Sequence, residues 1–426
     1  MHRLVKLSWL PIAALLAACS ASDRALRNDT AADAGSSSTM TAASSWLIVG
    51  PRYPLSAGQR VTTDPTLLIG NLQSSISALQ QRMQQQPDDV TAASQLSAAL
   101  LQRAQIIGRQ DDTEQALLIA ERAVQMAPES APAWRALATA QAALHRFTAA
   151  ELSLQKAHAF GLSAEQVLPL QRDIQVAKGD YSGLKSDLDS ASRPVGEFAA
   201  LAHRADLLLL QGDLRGASLW LRTAQDLYHD VNPLPLAWLY TQQGIALLRF
   251  GRVSEARVFF AAAHQRLPAY YLATEHLAEC EALLGNLDQA RKLYVQVIEQ
   301  TGNPEFMAAL ADVEQRAGDD SEAQRWRSAA DSGFHRLLAR DEAAYAAHAI
   351  EFWLEQGRLS EEVAALARRN VERRSDLGSL ILNAQVEFAL GQTERGCRLI
   401  SRIDAAGLQP PELQDVAGFR PLCSAG

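Results

Sequence analysis

Seven glycines set the frame of this chain: Gly179, Gly212, Gly251, Gly285, Gly318, Gly357 and Gly391. Each closes a run with helical apolar periodicity, and each precedes Asp, Arg, Asn or Gln and a second such run. Successive members stand 33, 39, 34, 33, 39 and 34 residues apart. Glycine at such a place permits the left-handed backbone that ends a helix. A chain punctuated this way stacks short units side by side, each burying its apolar face on the next. Alanine and leucine are abundant, while β-branched runs and strand-like alternation are scarce, so the body is expected to be all-α.

Two stretches carry the detail. In "APAWRALATAQAALHRFTAAELSLQKA", residues 131–157, Trp134, Leu137 and Ala138 share one helix face, and Ala150, Leu154 and Ala157 share another. In residues 236–268, Tyr240, Gly244 and Leu247 mark a first helix, Gly251 the turn, Ala256, Phe260 and Ala263 a second helix, and Pro268 the exit. Small residues where two antiparallel helices meet, with bulky ones beside them, resemble the tetratricopeptide repeat. That resemblance implies an α-solenoid, a right-handed superhelix of about nine hairpins over residues 88–404. A helix over 66–86 would cap its start. Two units depart from the pattern: residues 163–192 lack the small contacts, and Glu362 stands where alanine is usual. Both are expected to pack less regularly.

The spacing itself repeats every 106 residues, and residues outside the repeat pattern match at that offset: Asp206 with Asp312, Trp220 with Trp326, His229 with His335. A duplicated three-hairpin unit accounts for this, as does repeat consensus plus coincidence. Under duplication, the long gaps near "HDVNPLPL" and "HRLLARDEAA" are equivalent loops or lengthened helices.

The N-terminus reads as an export signal. Arg3 and Lys6 precede an apolar run of about a dozen residues, shorter than the roughly 20 that span a bilayer. "LAAC", Leu16 to Cys19, resembles the lipobox of bacterial lipoproteins; a cleaved signal with a chance cysteine is the plainer alternative. The resemblance implies cleavage before Cys19, lipidation of its thiol and stable anchoring by more than one acyl chain. With Ser20 next, and no Asp there, it implies the outer membrane, facing the periplasm. Residues 1–18 are thus the signal, 19–63 a lipidated and mostly disordered tether, 64–404 the solenoid and 405–426 a C-terminal tail. The apolar segment 46–58 could lie on the folded body.

The formal charge of −8, without a basic run, argues against nucleic acid. No nucleophile–base pair, metal-ligand spacing or phosphate loop stands out, so neither catalysis nor a cofactor is expected. Cys280 is read as a small buried residue. Cys397 and Cys423 could pair and pin the tail over the last hairpin, or remain as two free thiols.

In the repeat family the concave surface comes mainly from the first helix of each hairpin. Position nine of each unit gives Thr139, Asp206, Ile245, Glu279, Asp312, Glu351 and Gln385; position five adds Arg135, Thr241 and Glu275, and position two adds Trp238. The expectation is an acidic groove with an apolar patch at Trp238 and Ile245, suited to a basic or amphipathic segment. Acidic residues that merely keep this face solvated are the alternative. The resemblance points to a membrane-anchored scaffold or assembly factor for another envelope protein. A second class is a regulator of a peptidoglycan-synthesis enzyme or a glycan-binding cell-wall factor, with Trp238 the candidate aromatic platform.

Overall fold

The computed structural model of the chain describes residues 61–190 and 198–423. The signal, Cys19, the tether up to residue 60 and the segment 46–58 lie outside the described residues. Among the described residues there are helices and turns and no strand. A first helix, α1 (Pro65–Gln85), is capped by Asp64, whose carboxylate accepts from the Thr66 amide at 2.8 Å.

Nine antiparallel hairpins follow among the described residues. The first three are α2–α3 (Val90–Ile107, Gln110–Met126), α4–α5 (Ala131–Ala143, Phe147–Ala159) and α6–α7 (Ala164–Lys178, Tyr181–Ser190). The next three are α8–α9 (Phe198–Leu210, Leu214–Leu227), α10–α11 (Pro233–Arg249, Val253–Arg266) and α12–α13 (Tyr271–Leu283, Leu287–Thr301). The last three are α14–α15 (Pro304–Ala317, Asp320–Arg340), α16–α17 (Glu342–Glu355, Glu361–Arg373) and α18–α19 (Leu377–Ala389, Thr393–Ala405). Two short helices, α20 (Gln414–Ala417) and α21 (Arg420–Cys423), follow. Side chains at Asp89, Ser130, Ser163, Asn232, Asn303 and Asp376 accept from first-turn amides that have no partner within the helix, each contributing about 1 kcal/mol to its helix.

Within a hairpin, small residues set the approach of the two helices. A methyl group on Gly244 would stand 2.6 Å from the Phe260 ring, so α10 and α11 can pack this closely only through glycine. Ala138 and Ala150 are fully buried in the same role between α4 and α5. The hairpins α6–α7 and α16–α17 make the sparsest internal contacts of the nine. They are the two whose sequences depart from the pattern; α6 also carries Pro169, and Glu362 is exposed.

The 106-residue period is visible in the helices. The starts of α9 and α15, of α12 and α18, and of α13 and α19 are each separated by that interval. The equivalent long gaps differ: residues 228–232 are non-helical, whereas α15 runs on to Arg340.

The superhelix is wound so tightly that its second turn rests on its first. The turn at Gly108 meets Tyr271 and Thr301, that at Gly179 meets Ser375, and that at Gly212 meets Gln409. His145, in the remaining turn of the first four hairpins, reaches the Ala343 backbone. Thus the inner turns of hairpins one to four dock on the junctions that follow hairpins six to nine. The Gln300 amide donates to the Ile107 carbonyl at 3.0 Å, the Leu377 amide to the Tyr181 hydroxyl at 2.9 Å and the Gln409 amide to the Leu210 carbonyl at 2.8 Å. Ion pairs Arg146–Asp341 at 2.7 Å and Arg340–Asp111 at 2.6 Å cross the same seam. The turn glycines of the last five hairpins meet nothing within 4 Å.

Residues 406–423 fold onto this seam. Leu408 and Val416 join a core with Tyr181, Leu184, Leu210, Leu380 and Phe388. Cys397 and Cys423 are joined in a disulfide, with their Cα atoms 5.3 Å apart. Cys280 is a buried free thiol.

Candidate functional site

The inner surface differs from the expected groove in two respects. Trp238 is 1% exposed and belongs to the main core, so it offers no aromatic platform to a glycan or a peptide. Thr241 and Glu275 are buried as well, at 0% and 2%. The reason is the place of α10 and α12 in the middle of the array, where nearly every face is covered. Position-by-position reading treats each unit as equally open, and a central unit is not. Thr139 is nearly buried, its hydroxyl donating to the Arg135 carbonyl at 2.9 Å. Arg135, Asp206, Ile245, Glu279, Asp312, Glu351 and Gln385 are half-buried.

The second difference concerns charge. Three of the position-nine acids, Glu279, Asp312 and Glu351, and Glu275 at position five stand beside bases from other repeat positions. His276 Nδ1 lies 3.1 Å from Glu275 and 3.2 Å from Glu279; His348 Nδ1 lies 3.9 Å from Glu351, and Arg327 is 3.8 Å from Asp312. Burial disfavours the charged form of His276, but Glu275 and hydrogen-bonded Glu279 outweigh it and raise its pKa to about 8. Burial raises Asp206 to about 6, with Asp173 adding to the shift and His203 and Arg249 opposing it. The donor atoms of Glu275, His276 and Glu279 lie within 4.8 Å of one another, near enough to chelate a cation, yet an imidazolium between two carboxylates accounts for them equally.

The seam between the superhelical turns holds a half-open cavity of about 210 Å³ that none of the expected groove positions except Glu351 anticipates. One wall comes from α2, the turn at Gly108 and the turn at His145; the other comes from the starts of α12, α14, α16 and α18 and the end of α15. Tyr271, Phe306, Phe334 and Leu382 make it apolar, and Gln105, Glu305, His348 and Glu351 make it polar.

His145 holds the corner. Its φ is +56°, the left-handed conformation that glycine takes in the other hairpin turns. It stacks on Phe147 with ring centroids 5.6 Å apart. Burial, with Arg374 and His348 nearby, lowers its pKa to about 3, so it is neutral. Burial also pushes the Tyr271 phenol up, with Glu305 and Glu275 adding to the effect. The cavity therefore offers hydrogen bonding and apolar contact. The sequence signal for it was "LHRF", a histidine where the repeat wants glycine.

Among the described residues no helix is long and apolar enough to cross a membrane. Residues 247–313 match the family model of the tetratricopeptide repeat. No curated protein matches the chain. Among solved structures, the human IFIT1 dimer with PPP-AAAA is similar at 15% identity and TM-score 0.47, over 75% of this chain and 73% of that one. Pseudomonas aeruginosa PilF is similar at 19% identity and TM-score 0.29, over 56% of this chain and 88% of that one. The TPR domain of P58(IPK) is similar at 11% identity and TM-score 0.30, over 88% and 98%.

Proposed function

We propose that the protein is a lipid-anchored scaffold of the cell envelope that holds a basic or amphipathic segment of another envelope protein. The observation that carries this reading is the cavity between superhelical turns, where apolar walls adjoin Glu305 and Glu351. A rigid solenoid presents such a surface without changing shape, so little ordering cost opposes binding. The anchor is Cys19, and the serine- and alanine-rich stretch after it gives the solenoid reach from an outer membrane into the periplasm.

The test is crosslinking of the intact chain in living cells, with mass spectrometry of what travels with it. One dominant envelope protein, lost in Cys19→Ser and weakened when Asp312 and Glu351 are changed to Lys, supports the scaffold. Recovery of peptidoglycan or its synthases in place of such a protein would support a cell-wall regulator, and an unchanged profile in the charge variants would reject the acidic inner surface as the contact.

A further inference from the structure

We propose that an exposed apolar strip beside the start of α1 is the seat of a segment of this same chain, residues 46–55, "WLIVGPRYPL". Two stretches far apart in sequence meet there. The Thr63 amide donates to the Val231 carbonyl at 2.7 Å, and the Arg266 guanidinium donates to the Thr62 hydroxyl at 2.9 Å. Val61 and Leu67 on one stretch, and Leu227 and Val231 on the other, are large apolar side chains open to solvent. Leu219 is open too, and it shares one face of α9 with Thr223 and Leu227, four and eight residues further on. A single exposed leucine is ordinary on a protein surface. Several on two stretches that are pinned together mark a contact surface.

Length and chemistry select the occupant. Leu55 stands six residues before Val61, so the end of the segment is held within about 20 Å of the strip. Ten residues in extended form reach about 33 Å, while Leu219 to Leu227 occupy only about 12 Å of α9. Trp46, Leu47, Ile48 and Val49 supply an apolar face, and Pro51 and Pro54 keep the segment from forming a helix. It is therefore suited to lie extended along the strip, the form in which Thr63 already meets Val231 through its backbone. A segment tethered this closely acts at an effective concentration in the millimolar range. A second copy of the chain at micromolar concentration does not match that. With the segment seated, the free part of the tether ends at residue 45 and leaves the body beside α1 and α9. This goes beyond the scaffold reading and holds whatever partner the inner surface takes.

The full chain carrying Leu219→p-benzoylphenylalanine is purified in detergent and irradiated, and its crosslinks are mapped by mass spectrometry. The substitution sits at an exposed position and leaves the core untouched. Crosslinks are expected within the monomer, from position 219 to residues 46–55. The paired change Leu47→Asp with Ile48→Asp, which lies outside the solenoid, should reduce their yield at least fivefold. In the chain with Leu219 restored, the same pair should speed amide exchange at residues 227–231 and at the start of α1, and leave α13–α15 as before. Crosslinks confined to a dimer would give the strip to a second copy, and crosslinks to detergent or lipid alone would give it to the membrane. Either result overturns the proposal, as does the absence of crosslinks to residues 46–55 or a yield unchanged by the paired aspartates. None of these outcomes bears on binding at the inner surface, which the variants leave intact.

Discussion

Arg249 and Glu412 are separated by 163 residues and joined by two hydrogen bonds, Nε to Oε1 at 2.6 Å and Nη2 to Oε2 at 3.0 Å. Both side chains are buried, one at the end of α10 and the other in the segment that follows α19. A forked pair of this kind fixes orientation as well as distance. It ties the tail to the middle of the array, where the first superhelical turn ends.

Glu412→Gln is expected to destabilise the chain by about 3 kcal/mol, because it leaves a buried guanidinium facing a neutral amide. The double change Arg249→Met with Glu412→Leu should recover most of that loss. Chemical denaturation of the parent and these two variants measures it; a double variant no more stable than Glu412→Gln would show that the loss does not come from an unpaired buried charge.

The disulfide Cys397–Cys423 closes a loop with a sequence separation of 26. On the chain-entropy model a loop of that length contributes about 3–4 kcal/mol. In a repeat array such a term acts on the end that carries it and fades along the stack. Cys423→Ser should therefore speed amide exchange in residues 406–423 and in α19, and leave α2–α5 protected as before. Uniform loss of protection along the chain would contradict this.

The hairpins were legible because each is specified locally: Gly251 ends one helix, Ala256 and Phe260 fit the next against it, and nothing distant is needed. The weakness of α6–α7 was legible for the same reason. Burial of Trp238 was not, since it depends on which units surround α10 rather than on α10 itself. The seam between turns was hidden more deeply. It arises from small rotations summed over five hairpins, and no single residue encodes that sum. His145 left a trace as a histidine in a glycine position, but only the contact with Ala343 gives that departure a meaning. The acids of the inner surface gave an incomplete picture of its field, because Glu275 is buried and His276, Arg327 and His348 enter from other repeat positions.

Stability should fall on the alkaline side through His276. Its folded value of about 8 lies above the ordinary 6.5, so the native state holds this proton more tightly than the unfolded chain does. The stabilisation is complete below 6.5 and is lost as pH rises through about 8, an effect on the order of 1–2 kcal/mol. His276→Gln should flatten the difference in denaturation midpoint between pH 6 and pH 9. If the variant keeps the full wild-type difference, the proton belongs to another group.

His145 has the opposite sign. Its folded value of about 3 lies below the ordinary 6.5, so stability is complete above 6.5 and declines as pH falls toward 3. His145→Gly removes that titration and also relieves the left-handed conformation at φ +56°. It forfeits the stack on Phe147 and the link to Ala343. The variant should melt near the wild type at pH 7.5 and above it at pH 5. Parallel curves at the two pH values would show that His145 does not titrate with folding.

The seam itself can be isolated with two glycines of nearly equal conformation. Gly179 has φ +72° and Gly391 has φ +73°, so alanine at either position incurs a similar backbone cost of about 1 kcal/mol. Their surroundings differ. A Cβ on Gly179 would stand 2.6 Å from the Ser375 carbonyl oxygen, across the seam, while one on Gly391 meets nothing within 4 Å. The carbonyl belongs to the backbone and cannot swing aside, so Gly179→Ala must push α7 and α18 apart and strain the hydrogen bond from Leu377 to Tyr181. The difference in stability between Gly179→Ala and Gly391→Ala thus reports the stacking of one turn on the next, with the backbone cost cancelled. It should reach at least about 1–2 kcal/mol, the cost of overpacking a close contact. Equal losses in the two variants would mean that the turns do not rest on each other in solution, and the cavity between them would lose its second wall.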